Sequence, residues 1–125
     1  MLFGKGYFVH YISRLGTDYA FLARDAKLAG ITHVIIKVAD GAGRGTEGNV
    51  INGVDLVPPF AEALRNEGVE VWGFQAVNGY NVTGEVAMAL SMIQKFDLDG
   101  FVINAEAAMK NKPTQARNYM TGLRS

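Results

Sequence analysis

Cysteine is absent from the 125-residue chain. Its absence excludes disulfides, thiolate nucleophiles and any metal site built on cysteine, and leaves the redox compartment open. An excess of charge is also missing, since 12 Lys and Arg balance 12 Asp and Glu. Nucleic-acid binders need a basic surface to displace counterions from phosphates, so no nucleic-acid partner is expected. No run approaches the roughly 20 apolar residues of a membrane span. The opening Met1–Gly6 segment carries no apolar stretch with a cleavage signal. The chain as given is therefore expected to be soluble, with no leader and no membrane partner. Its 2 histidines, His10 and His33, fall near opposite ends of the expected sheet, so no metal and no other cofactor is expected.

What is present is a patterned apolar chain. Hydrophobic residues make up 49% and charged residues 19%, which describes a packed globular domain. Four strand-like runs, at residues 6–12, 32–39, 70–77 and 100–105, alternate with helix-like runs. This alternation predicts an α/β fold with a parallel sheet, a (βα)4 unit equivalent to half of a (β/α)8 barrel. The expectation is one domain over residues 1–125, truncated from a larger barrel. Thr17 is the expected cap of the first helix, which Gly30 closes. A glycine-rich loop spans Asp40 to Gly53 before Asp55 caps the second helix, where Pro58 and Pro59 fit only the first turn. Gly68 closes that helix. A third helix starts near Thr83, and a last one opens at Pro113 and Thr114.

Each strand carries polar residues towards its C-terminal end, where ligands bind in parallel α/β folds. Alternation groups His10 with Phe8 and Ile12, and Lys37 with His33, Ile35 and Ala39. It groups Gln75 with Val71, Gly73 and Val77, and Asn104 with Val102 and Glu106. The apolar set Phe101, Ile103 and Ala105 suits packing against helices. All the polar positions are expected to converge on one pocket. Lys37 stands between Ile36 and Val38 and needs a carboxylate or water, which makes Lys37 and Glu106 the best expected pair. Each position alone also has a bland explanation: a rim-exposed Glu, a snorkelling Lys, a satisfied core His. Trp72, Tyr11 and Tyr80 offer faces for stacking on sugar rings. For Trp72 the simpler expectation is packing between sheet and helix.

Ile35-Ile36-Lys37-Val38 and Gly100-Phe101-Val102-Ile103-Asn104-Ala105-Glu106 resemble the barrel glycoside hydrolases, closest to the lysozyme-type family 25 and related glycosidases. In that family the fourth strand ends in Asp-x-Glu, whose Glu donates the proton to the glycosidic oxygen. The resemblance implies that role for Glu106, with Asn104 standing where the family has Asp. An amide is neither nucleophile nor base, but it can hydrogen-bond an acetamido group or orient Glu106. It further implies a carbohydrate partner, such as a cell-wall glycan, met by His10, Lys37, Gln75, Asn104, Trp72 and Tyr11. Most glycosidases use two carboxyl groups. Asp40 is the only other acid near a strand end, and strict alternation puts it on the face opposite Lys37. A lone half is thus expected to be weak or inactive, and an open half favours a homodimer or a complementary half-barrel.

Two other readings stay open. The chain can be a non-catalytic fragment or designed half-barrel scaffold that self-associates. It can also be a flavodoxin-type small-molecule-binding domain using Gly43-Arg44-Gly45-Thr46-Glu47-Gly48. The second is disfavoured because several residues separate Gly48 from the cap at Asp55, whereas a dinucleotide loop leads straight into its helix. Arg44 or Glu47 reaching over a ligand is the better account of that loop.

Overall fold

The computed structural model describes residues 4–44 and 48–105. In chain order these form β1 (Lys5–Val9), a 3-10 turn (Ile12–Arg14), α1 (Tyr19–Leu28), β2 (Ile31–Asp40) and a small pair β3 (Val50–Ile51) and β4 (Val54–Asp55). There follow α2 (Val57–Asn66), β5 (Glu70–Val77), α3 (Val82–Phe96) and β6 (Gly100–Ala105). β1, β2, β5 and β6 make one four-stranded sheet in that spatial order, and all its pairings are parallel. The helix expected from Pro113, and Glu106 itself, lie outside the described residues.

Each new strand joins the same side of the growing sheet. With right-handed crossovers, this order puts every connecting helix on one face. A single core shows the result. Val9, Val34, Ile36, Val38 and Val71 of the sheet meet Ala23 and Ala26 of α1, Phe60 and Leu64 of α2, and Met92 and Phe96 of α3. Phe101 packs against this core and Ile103 against Val77 beside it, as the apolar set on β6 predicts. No helix among the described residues is long and apolar enough to cross a membrane.

Helix ends follow local chemistry closely, with small shifts from expectation. Asp18, not Thr17, caps α1, its Oδ1 accepting from the Phe21 N–H at 3.0 Å. Asn81 caps α3 in place of Thr83, accepting from the Gly84 N–H at 3.0 Å. Gly30 and Gly68 take left-handed φ of 81° and 75° just past α1 and α2. α3 ends differently, because Asp97 carries the left-handed turn with φ 51°. Arg65 of α2 donates to the carbonyls of Phe96 and Asp97 at 2.6 and 2.8 Å, placing a cation on the negative end of the α3 dipole.

Three backbone features depart from the simple period. β1 stops at Val9, so His10 follows the strand and Ile12 enters the 3-10 turn. β2 carries a bulge between Lys37 and Ala39. The glycine-rich loop contains an antiparallel hairpin, turned by Asn52 and Gly53 with φ of 52° and 79°. Two consecutive left-handed residues are the signature of the tight turn whose twist matches a hairpin.

Two consequences are measurable. Replacing Asp97 by Gly removes the steric cost of the left-handed turn and should raise unfolding stability in urea by about 0.5–1 kcal/mol. Tyr7 packs against the helix-side core, and burial, reinforced by the Asp25 carboxylate, raises its hydroxyl pKa above the ordinary 10.0. Stability from the protonated phenol is then complete below pH 10 and lost as pH rises through the folded-state value. Tyr7→Phe should flatten that alkaline loss in stability-versus-pH profiles, and an unchanged slope would rule the assignment out.

Candidate functional site

Helices cover one face of the sheet, and the other face presents a different chemistry. Phe8, Ile35, Trp72 and Gly100 lie in one row across the four strands, and Lys37, Phe74 and Val102 in the next row towards the C-terminal ends. Phe8 meets the Phe74 ring edge-on at 5.4 Å, and His10 meets the same ring at 5.1 Å. The His10 ring is also 6.2 Å from that of Tyr11. An aromatic floor thus leads up to a polar rim at the strand ends.

The rim is shaped by the bulge in β2. Register pairs Lys37 with Phe74, then Ala39 with Gln75 and Asp40 with Ala76. The extra residue returns Asp40 to the Lys37 side, contrary to strict alternation, and Lys37 Nζ donates to Asp40 Oδ2 at 3.0 Å. Lys37 therefore has a carboxylate partner on its own strand. The expected pair with Glu106 falls outside the described residues. Asn104 is exposed, and Ala76 separates it from Asp40 in the ladder.

His10, Lys37, Asn104 and Asp40 are brought to one end of one face. Gln75 is not. It points to the helix side, fully buried, where its Nε2 donates to the carbonyls of Gly41 at 2.9 Å and Glu85 at 2.8 Å. The phase of β5 explains this: Val71, Gly73 and Gln75 share the face that packs on α2 and α3, while Trp72 and Phe74 share the opposite one. Trp72 consequently does not pack between the sheet and α1, α2 or α3. Its ring lies over Gly100, where a Cβ would overlap it, and its Nε1 donates to Glu70 at 3.1 Å. It sits towards the N-terminal end of the sheet, 5.4 Å from the His33 ring and away from the rim. Tyr11 stays near His10 but is held against Gly48, with the Arg14 guanidinium 4.4 Å above its ring. Tyr80 is exposed after β5.

Two buried polar residues, Asn49 and Glu85, fasten the loops around the rim, and exposed Asp99 ties the opposite end of the sheet. Asn49 accepts from the Ile12 N–H at 2.7 Å and donates to the carbonyls of His10 at 3.1 Å and Lys37 at 3.0 Å. Glu85 accepts from the N–H groups of Asn78 at 2.8 Å and Gly79 at 3.1 Å. Asp99 accepts from the Val71 N–H at 2.8 Å while its own N–H donates to the Val71 carbonyl. Asn and Asp within turns are a general signal for such bonds, but their long-range partners are not readable from spacing. Arg44 is committed to Asp55 at 2.6 Å and stacks near Phe96, so it does not reach over the sheet. Glu47 lies outside the described residues.

Among the described residues no group of three or more His, Asp or Glu stands together as metal ligands would. A surface groove lined by Pro58, Ala61, Arg65, Lys95, Phe96 and Asp97 lies on the helix layer, remote from the rim.

The Asn49 clamp gives a direct test. Asn49→Ala strands a buried N–H and two carbonyls, and should cost about 2–4 kcal/mol in urea unfolding. Asn49→Asp keeps the acceptor for Ile12 but loses both donors, so it should not rescue. A loss within about 0.5 kcal/mol would show that the clamp contributes little.

Comparison of the chain with protein-family models, curated proteins and solved structures finds no match.

Proposed function

We propose that the chain is half of a (β/α)8-type barrel that binds a polysaccharide at its C-terminal strand ends, with Glu106 as the general acid of a glycosidase. The observation that carries the binding reading is the rim itself. His10 stands on Phe74 beside the Lys37–Asp40 ion pair, with exposed Asn104 at the same end of the sheet. His10, Lys37, Asp40 and Asn104 offer polar groups for sugar hydroxyls, and Phe74, buried beneath His10, braces the imidazole.

Asp40 is the candidate for the second carboxyl group. Asp40 and Asn104 flank Ala76, two ladder spacings apart, or about 10 Å between backbones. Glu106 lies two residues beyond Asn104 in sequence. An inverting glycosidase separates its two carboxyl groups by roughly 6.5–9.5 Å to admit water. In this scheme Lys37 orients Asp40, and Asn104 contacts the sugar beside the scissile bond.

The test is binding and turnover on soluble cell-wall glycan fragments. His10→Ala and Asn104→Ala should each lower affinity about fivefold, the equivalent of one hydrogen bond or ring contact of roughly 1 kcal/mol. Both positions are exposed, so folding should be unaffected. Glu106→Gln should abolish any hydrolysis and spare binding. Glycan affinity insensitive to both rim variants would remove the binding site from this face, and hydrolysis surviving Glu106→Gln would remove the acid.

A further inference from the structure

Only two asparagines of the chain precede glycine, in Asn52-Gly53 and Asn78-Gly79. That dipeptide has a chemistry of its own. Once solvent base removes its proton, the glycine nitrogen attacks the asparagine side-chain carbonyl, and no side chain on glycine hinders the approach. A bond forms from that nitrogen to Cγ, the bond from Cγ to Nδ2 breaks, and ammonia leaves. Water then opens the resulting cyclic imide at either carbonyl. The products are aspartate and isoaspartate, whose backbone runs through the former side chain.

The fold treats the two pairs differently. Asn52 and Gly53 are exposed at the tip of the β3–β4 hairpin, outside the ladder that joins Val50 to Asp55 and Ile51 to Val54. Nothing lies within 4 Å of where a Gly53 Cβ would stand. Among the described residues no hydrogen bond from the Gly53 N–H is found. With two residues in each strand, the hairpin by itself is marginal in water and opens readily.

Asn78-Gly79 has the opposite surroundings. Gly79 is buried and its N–H donates to Glu85 Oε1 at 3.1 Å, while the Asn78 N–H donates to Oε2 at 2.8 Å. Asn78 Oδ1 accepts from the Tyr80 N–H at 2.9 Å, which holds the carbonyl that would be attacked. The carboxylate also opposes removal of the Gly79 amide proton, since the anion formed would face a like charge.

We propose that Asn52 is a modification site, deamidating to aspartate and isoaspartate in the folded chain, and that fully buried Glu85 protects Asn78 from the same reaction. Isoaspartate lengthens the backbone of a two-residue turn. Below that turn the Leu56 N–H donates to the Asn49 carbonyl at 2.8 Å, and Asp55 accepts from Arg44 at 2.6 Å and from the Val57 N–H at 3.0 Å. The foot of the modified turn is thus the Asn49 clamp. The inference rests on the hairpin and on Glu85, not on sugar binding, so either can fail without the other.

Incubation of the full chain at mildly alkaline pH tests it, with peptide mapping by mass spectrometry and enzymatic methylation of isoaspartate as readouts. Asn52 should be modified at least about tenfold faster than Asn78, the penalty of first freeing a hydrogen bond to a charged acceptor. In strong urea the two rates should become similar, because neither the hairpin nor the Glu85 bonds survive there. Asn52→Gly keeps a pair that suits the turn and should remove the fast reaction. Equal rates in the folded chain, an unmodified Asn52, or a ratio unchanged by urea would each overturn the proposal.

Discussion

The structure depends on one topological constraint: the four strands of the sheet are added in chain order, on one side, through parallel crossovers. It confines α1, α2 and α3 to one face and forces the inner strands β2 and β5 to satisfy two surroundings at once. On the helix side they present Val34, Ile36, Val38 and Val71 to the core. On the other side, rings shield the sheet by lying across glycines in adjacent strands. His33 covers its register partner Gly6, and Trp72 covers its register partner Gly100. A Cβ at either glycine would overlap the ring, so these positions are needed for close approach.

Polar side chains, most of them buried, then hold what the sheet cannot. Asn49, Gln75, Glu85 and Asp99 connect loops at both ends of the strands, and no buried side-chain polar atom among the described residues is left without a partner. Glu85 is informative about function as well. Its carboxylate occupies the N–H donors of Asn78 and Gly79 just ahead of α3. A nucleotide-binding α/β domain would leave donors at such a helix entrance for phosphate. Among the described residues the strand order also has no reversal to create a crevice between oppositely wound halves. Both observations weigh against the flavodoxin-type alternative.

Much of the fold was legible because apolar runs bounded by glycine and aspartate leave few options. β5 and β6 occupy the residues expected of them, and the ends of α1 and α2 follow Gly30 and Gly68. What escaped was set by contacts remote in sequence. Neither the stop of β1 at Val9 nor the turn after it follows from its own residues, since Asn49 holds both Ile12 and His10. The hairpin of Val50–Asp55 had a local signal in Asn52-Gly53, but the surrounding glycines masked it. Gln75 was grouped correctly with Val71 and Gly73, yet the face that this group takes depends on where the helices lie. Period alone cannot say which side of a two-sided strand is open.

The bulge in β2 joins these threads. Strict alternation from Lys37 would send Asp40 to the helix side, where Gln75 already occupies the buried acceptors of Gly41 and Glu85. A carboxylate there would face desolvation without a cation. Inserting one residue costs part of the ladder but returns Asp40 to solvent and to Lys37. Asn49 reinforces the same place, donating to the Lys37 carbonyl just before the irregularity. The rim's acid is therefore positioned by backbone, not by the sequence period. Such an arrangement is rigid because its supports lie outside the rim: a buried amide on one side and a paired strand on the other. Chemistry at the strand ends needs that division, since groups that meet a ligand cannot also be the groups that hold the loops.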